Sequence, residues 1–355
     1  VKLVVQVPCL NEEGSLATVL ESIPTHIEGI DQIDVVVIDD GSTDATGAIA
    51  RAHGAHVIRH TRTMGLAQSF RDGVDHALAR GADIVVNTDG DNQYPQERIG
   101  DLVAPILAGR ADIVIGDRQT HQIAHFSPFK KRMQRFGSWV VNKAAGTRLP
   151  DAASGFRAYS RYALYRLNVL TRFSYTMETI IQAGEKRLAI TSVPIDTNPK
   201  TRESRLFANM GEHMWRSAQA ILRSSVMYRP WAVFASLAVV LGTIGLIPFV
   251  RYAILMALDT GGNHLQSLIL GTTLLVAAAL AVALGVISDL LKSNRILTEQ
   301  SLEHLKTQRY GPAQPAGAGV DSVGNRADSV GNRADSVAER ASEGPEPVDA
   351  PAEGP

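Results

Sequence analysis

One cysteine, Cys9, is all the thiol that the 355 residues carry, which excludes an internal disulfide framework and suits a reducing compartment. Excess charge is missing as well. Thirty-five basic side chains stand against 36 acidic ones, and a formal net charge of -1 gives no global field that would recruit nucleic acid. The first residues, VKLVVQVPCLNEE, lack the apolar core and small-residue cleavage site of a signal peptide and run straight into a strand pattern. No G-x-G-x-x-G opens a helix and no G-x-x-x-x-G-K-[ST] occurs, which removes dinucleotide-binding and P-loop readings. His121 and His125 share the spacing of a zinc-protease pair, but Gln122 stands where that chemistry needs a glutamate.

What is present begins with a core: hydrophobic residues make up 45% of the chain, enough for one large domain with smaller additions. Up to about residue 160, short β-branched runs alternate with amphipathic segments, which predicts an α/β fold, a mostly parallel sheet covered by helices. The strand candidates are Lys2–Val7, Ile33–Ile38, His56–Arg59, Asp83–Asn87 and Asp112–Ile115. Leu66, Phe70, Val74 and Leu78 recur at helical spacing, and Pro95 suits the first turn of a helix that turns Ile99, Leu102, Val103 and Ile106 inward. His53, His56 and His60 straddle a helix-to-strand turn and read as solvent-facing, while Cys9 reads as a packing residue.

From Trp231 the composition changes. Trp231–Val250 and Leu265–Ser288 contain no charged residue and are each long enough to span a bilayer, so they predict a membrane hairpin. The connection, Arg251–His264, has one Arg and no Lys. Arg216, Arg223 and Arg229 precede the pair, and Lys292, Arg295, Lys306 and Arg309 follow it. This bias predicts a multi-pass protein of the cytoplasmic membrane with the N-terminal unit and both termini in the cytoplasm. Before the first span, Leu206, Phe207, Met210, Met214, Ala218 and Ile221 form an apolar stripe, either packed on the main domain or lying in the membrane interface. The tail repeats DSVGNRA at 321–327 and 328–334, then DSVAERA at 335–341, and its composition predicts disorder. The expected divisions are 1–205, a juxtamembrane helix at 206–230, two spans within 231–290, a juxtamembrane segment at 291–310 and a tail at 311–355.

The strongest chemical signal is Asp89-Gly-Asp91-Asn92-Gln93, directly after a strand. Carboxylates two apart in an extended segment face one side, and at a strand's C-terminal end they project into the usual ligand crevice. Such hard oxygens suit Mg²⁺ or Mn²⁺, although Asp, Gly and Asn also form ordinary turns. Two further acidic loops follow strands: Pro8-Cys9-Leu10-Asn11-Glu12-Glu13, and Asp39-Asp40-Gly41-Ser42-Thr43-Asp44, in which Ser42 or Asp44 can also cap a helix.

Together, VPCLNEE, VVVIDDGSTD and TDGDNQYP resemble glycosyltransferase family 2, a GT-A (Rossmann-like) fold, over residues 3–205. The resemblance implies a nucleotide-sugar donor, with Pro8, Leu10, Asn11, Glu12, Asp39 and Asp40 around the nucleotide and Asp89, Asp91 and Gln93 on a diphosphate-bound metal. Gly116-Asp117-Arg118, Arg132, the DAASGFR segment at 151–157, Tyr175-Thr176-Met177-Glu178, Val193-Pro194-Ile195 and Arg202-Glu203-Ser204-Arg205 are similar to the polyprenyl-phosphate branch, which includes dolichol-phosphate mannose synthases. That branch reads G-S-R where this chain has Asp117. By this resemblance Arg118, Arg132 and Arg202 bind the phosphate of a polyprenyl phosphate acceptor at the membrane, for which a guanidinium fork is well matched.

The implied reaction is metal-dependent, inverting transfer of one sugar, a UDP-hexose being the first donor and GDP-mannose the second. A lipid monophosphate, with a second pKa near 6, is already ionised at neutral pH and needs no dedicated base. Asp151 is a candidate base or a residue that fixes the SGFR loop, the second role being favoured, and Glu178 has no derived role. A processive polysaccharide synthase would need a Q-x-x-R-W motif and more spans, and a non-catalytic scaffold would show degraded metal ligands. Homo-oligomerisation is left open by the sequence.

Overall fold

The computed structural model describes residues 1–119, 137–139, 141–143, 145–169, 175–198, 230–258 and 265–313. The expected α/β architecture is present as a seven-stranded sheet. Its strands are β1 (Lys2–Cys9), β2 (Gln32–Asp39), β3 (His56–Arg59), β4 (Ile84–Asn87), β5 (Ile113–Asp117), β6 (Arg157–Ser160) and β7 (Ile190–Pro194). Their spatial order is β3-β2-β1-β4-β6-β5-β7. All five predicted strands are present with ends shifted by one or two residues.

The pattern within β1 explains the layering. Val4 packs to one side of the sheet, while Leu3, Val5 and Val7 pack to the other, the period of two that a pleated strand imposes. Both faces are buried, so the central strands read as continuous apolar runs. On one face lie α3 (Leu66–Ala79), through Phe70, Val74 and Leu78, and α6 (Tyr175–Glu185), through Tyr175, Ile180 and Ile181. The other is covered by α1 (Leu16–Ser22) and α4 (Ile99–Leu107), through Leu16, Val19, Ile99, Leu102 and Val103. Pro95 opens a 3-10 turn, Gln96–Arg98, that leads into α4, and Ile106 is partly buried, as the sequence predicts. Two short helices, α2 (Thr46–Ala52) and α5 (Arg161–Arg166), follow β2 and β6.

β1 pairs in parallel with β2 and β4, and β2 with β3, so the loops after β1, β2 and β4 leave one edge of the sheet side by side. Two strands were not predicted. β6 runs antiparallel between β4 and β5, and its four buried residues include an arginine, so neither hydrophobicity nor alternation marks it. β7 pairs only with β5 and ends on Pro194, as an edge strand can.

Two long apolar helices follow, α7 (Pro230–Ala257) and α8 (Leu265–Tyr310), both long and apolar enough to cross a membrane. Their apolar side chains are mostly exposed, among them Val239, Ile247, Leu270 and Leu280, which suggests membrane association. The two helices approach closely through glycines: a Cβ at Gly271 would lie 2.8 Å from the carbonyl oxygen of Gly245. Arg251, expected in the connection, lies within α7. Residues 291–310, expected as a separate segment, continue α8 without a break. The stripe at 206–221, Arg132, Arg202, His121, His125 and the repeat tail lie outside the described residues.

Candidate active site

The loops after β1 and β2 are zipped together by their own polar groups. The backbone N–H of Asn11 donates to Ser42 Oγ (3.0 Å), that of Glu12 to Thr46 Oγ1 (2.8 Å), and that of Thr43 to Asn11 Oδ1 (2.8 Å). Asn11 takes a left-handed φ of 55° in this turn. Asp44 accepts from the backbone N–H of Thr46 (3.0 Å) just ahead of α2, whose N-cap is Ala45 and not Ser42 or Asp44. The β4 loop joins them through Ser15, whose Oγ donates to the Gly90 carbonyl (2.7 Å) and to Glu12 Oε2 (3.2 Å). Gly90 is required here, since a Cβ would lie 2.7 Å from Cys9 Sγ.

Within this frame the expected nucleotide residues divide. Asp39 is fully buried at the end of β2, and its Oδ1 accepts from the Ser42 N–H (2.8 Å). Its Oδ2 has no hydrogen-bond donor among the described residues and faces Arg59 Nε at 3.6 Å. A buried carboxylate oxygen in that state calls for a partner, and Arg59 is the charge beside it. Glu12 is nearly buried beside Gly90, Pro8 is buried within β1, and Leu10 is exposed at the rim. Asp40 is engaged elsewhere. Its Oδ1 accepts from the Met64 N–H (2.8 Å) and its Oδ2 from the Gly65 N–H (2.9 Å), so it holds the loop before α3. His60 corrects the sequence reading, for it is not solvent-facing. Its ring is held between Asp40 Oδ1 (2.6 Å) and Asp72 Oδ2 (3.0 Å), which brings the same loop against the sheet edge.

Asp89 and Asp91 follow β4. Gln93 donates to Asp91 twice, from its backbone N–H to Oδ1 (3.1 Å) and from Nε2 to Oδ2 (2.7 Å), so it orients that carboxylate. Burial, then the charges of Asp91 and Glu12, push the Asp89 carboxyl up to about 7 against the pull of Arg118. Carboxylates crowded in this way favour a cation between them, and hard oxygens fit Mg²⁺ or Mn²⁺. Among the described residues no group of three or more His, Cys, Asp or Glu side chains forms a closed metal centre. Burial and then Glu12, Asp39 and Asp89 hold the Cys9 thiol well above its usual range, as befits a packing residue.

The opposite wall is the SGFR loop. Arg118 donates to Asp151 through Nε (2.6 Å to Oδ2) and Nη2 (3.1 Å to Oδ1), while Asp151 also accepts from the Ala153 N–H (3.2 Å). Burial opposes the Arg118 charge, but Tyr94 and Asp151 outweigh it and raise its pKa. Sequence reasoning missed Asn87 and the way Tyr94, Tyr175 and Arg157 hold this wall. Asn87 donates to Tyr175 Oη (2.7 Å) and the Gly155 carbonyl (3.0 Å), and the Gly155 N–H donates to Tyr94 Oη (2.9 Å). The fully buried Arg157 spends its guanidinium on the carbonyls of Ala152, Ser154 and Thr176 and on Thr179 Oγ1. A polar Asn closing an apolar strand was the one local signal for this network. Glu178 is buried and accepts from Gln182 Nε2 (3.3 Å), one turn along α6.

The family profile described as "Glycosyl transferase family 2" matches residues 4–167. An uncharacterised protein of Methanocaldococcus jannaschii is 31% identical over 202 residues, 55% of this chain and 81% of its own. The chain belongs to glycosyl transferase family 2. The transferase is also 26% identical to a UDP-N-acetylglucosamine–dolichyl-phosphate N-acetylglucosaminyltransferase of Methanococcus voltae, over 54% of this chain and 83% of that one. It is 25% identical to a polyprenol monophosphomannose synthase of Mycolicibacterium smegmatis, over 55% and 76%. Among solved structures, glucosyl-3-phosphoglycerate synthase of Mycobacterium tuberculosis in complex with Mn²⁺, UDP and phosphoglyceric acid overlays with a TM-score of 0.49 at 21% identity. That match covers 63% of the transferase and 77% of the synthase.

Proposed function

We propose that this glycosyltransferase moves a single hexose from a UDP-sugar to a polyprenyl monophosphate, with inversion, at the cytoplasmic face of the plasma membrane. The observation that carries the reading is the meeting of Asp89 and Asp91 with Glu12 and the buried Asp39 at one sheet edge, on a chain that also has two membrane-length helices. The names of two relatives favour the acceptor class. They differ in the sugar but share a dolichyl or polyprenyl phosphate product or acceptor. GDP-mannose is the second donor, favoured by the mannose of the second relative.

Asp39 and Glu12, with Pro8, Leu10 and Asn11, form the nucleoside side of the site, and Asp40 shapes it by holding the 60–65 loop. Asp89 and Asp91, steadied by Gln93, would hold Mg²⁺ or Mn²⁺. When bound, that ion neutralises charge developing on the departing nucleoside diphosphate. Arg118, Arg132 and Arg202 orient the acceptor phosphate, with Arg118 pre-set by Asp151. One phosphate oxygen then forms the bond to the anomeric carbon as the bond to the diphosphate oxygen breaks. The nucleoside diphosphate leaves with that electron pair. The acceptor is ionised at neutral pH, so Asp151 is not needed as a base.

The test is a panel of UDP- and GDP-sugars offered to purified protein with polyprenyl phosphate and Mn²⁺, followed by mass spectrometry of the lipid. The expected product is a polyprenyl-phosphate hexose from a UDP-sugar. Addition of more than one sugar per lipid would support a processive enzyme instead, and absence of lipid product from every donor would overturn the reading.

A further inference from the structure

The second apolar helix does not stop where its apolar run stops. After Ser288 it continues to Tyr310, and one face of this polar half is docked on the catalytic domain. Lys292 Nζ meets Glu185 (2.7 Å), Glu299 meets Lys186 (2.6 Å), and Glu303 meets Arg166 (3.0 Å). Lys306 Nζ then donates to the carbonyls of Leu164 (3.0 Å), Tyr165 (3.2 Å) and Leu167 (3.2 Å) and to Asn168 Oδ1 (3.2 Å). Those carbonyls end α5, where a helix has acceptors left over and a cation is favoured. At the tip, Tyr165 Oη donates to the Gly311 carbonyl (2.8 Å), and Tyr310 and Ala313 pack against the core cluster of α3 and α6.

Positions 292, 299, 303, 306 and 310 follow helical spacing, so one stripe about 27 Å long makes all of these contacts except those of Gly311 and Ala313 beyond the helix end. Surface ion pairs are individually weak, but this stripe combines three of them with a half-buried ammonium on four oxygens and an apolar tip. A free cytoplasmic helix would need none of that.

We infer that the polar half of α8 is a rigid post that fixes the height and tilt of the active site over the bilayer, with Lys306 and Glu303 as positioning residues for a membrane-held acceptor. The inference rests on the acceptor class proposed above. A lipid phosphate lies at a set depth in the membrane, and the sheet edge carrying Asp89 and Asp91 belongs to the domain on which α8 is docked. An unbroken helix from the span to the back of the domain sets one against the other, and preset geometry of this kind raises the rate of transfer between two held partners.

The experiment has two readouts in lipid nanodiscs. The first is a spin-label distance between Ala104→Cys on α4 and Ala232→Cys on α7, both exposed positions, with Cys9 buried. The second is transfer to a long-chain polyprenyl phosphate in the bilayer beside transfer to a short-chain, water-soluble prenyl phosphate. Wild type is expected to give a narrow distance distribution. Glu303→Arg, which faces Arg166, and Lys306→Met are expected to broaden it. Both are expected to lose about tenfold in kcat/KM for the bilayer acceptor, with the soluble acceptor and nucleotide affinity nearly unchanged. Arg166→Glu with Glu303→Arg is expected to restore both readouts. A broad wild-type distribution overturns the post, and so does equal loss on both acceptors, since that marks a general structural role. A narrow distribution in a wild-type protein that uses neither prenyl phosphate overturns the acceptor reading, and the positioning role with it.

Discussion

Asp89 sits among carboxylates at the end of β4, and its chemistry follows from that company. Burial is the main reason its carboxyl is pushed up to about 7, with Asp91 and Glu12 adding to it. The sign is that of a group raised above its ordinary value, so it holds a proton below about pH 7 in the metal-free protein. A divalent ion must displace that proton. Apparent Mn²⁺ affinity is therefore expected to rise with pH up to about 7 and to level off above it. Calorimetry in buffers of different ionisation enthalpy checks this: about one proton should be released per ion at pH 6 and almost none at pH 8. On the proposed metal reading, Asp91→Asn removes one ligand charge from a loop outside the sheet, so transfer should be lost while circular dichroism stays unchanged. Full activity of that variant in EDTA would rule out the metal.

At the scale of elements, α5 and α8 are tied by one ammonium. Burial pushes Lys306 down to about 8, helped by Lys186, while Asp75 on α3 and Glu303 and Glu299 on α8 pull it back. A lysine lowered from its ordinary 10.5 carries fewer protons docked than free between those two values. Below about 8 both forms are charged and the full burial cost applies. As pH rises from about 8 toward 10.5 the cost disappears, so docking strengthens. Thermal unfolding of wild type beside Lys306→Met isolates this from the other titrating groups. The wild type should gain about 1–3 kcal/mol on the variant between pH 7.5 and 10, and parallel curves would contradict the assignment. The elements of the catalytic domain were legible where their period was strong: Phe70, Val74 and Leu78 predicted α3, and Leu102 and Val103 predicted α4. β6 was not, because an arginine in four buried residues breaks every strand rule until its partners on α6 are known.

The whole molecule joins a soluble-type α/β domain to a helical hairpin. Arg216, Arg223 and Arg229 before the pair, and Lys292, Arg295, Lys306 and Arg309 after it, are the basic flanks on which the proposed cytoplasmic placement rests. The docking of α8 on the domain asks for the same arrangement, because it holds the polar half of that helix on the side of the active site. Tags before Val1 and after Pro355 are therefore expected to be cleaved by protease only from the cytoplasmic side, and a tag near Gly261 only from the other. Terminal tags on opposite sides would exclude a two-span protein.

Much of this was decided by the sequence alone. Central parallel strands are buried on both faces, so Leu3–Val5 and Val35–Ile38 had to be apolar runs, with the buried Gln6 the polar exception in the first strand. A bilayer of fixed thickness made Trp231–Val250 and Leu265–Ser288 stand out, and the acidic loops advertised the sheet edge because chemistry fixes their residue types. Only the tertiary structure decided what each carboxylate meets. Asp39 and Asp40 are neighbours in sequence, yet one keeps an oxygen without a donor among the described residues and the other is taken up by backbone N–H groups 24 and 25 residues away. The burial of His60, the reversal of β6 and the docking of α8 are of the same kind. Each depends on partners far along the chain, 142 residues in the case of Lys306 and Leu164, and no local period records a contact at that range.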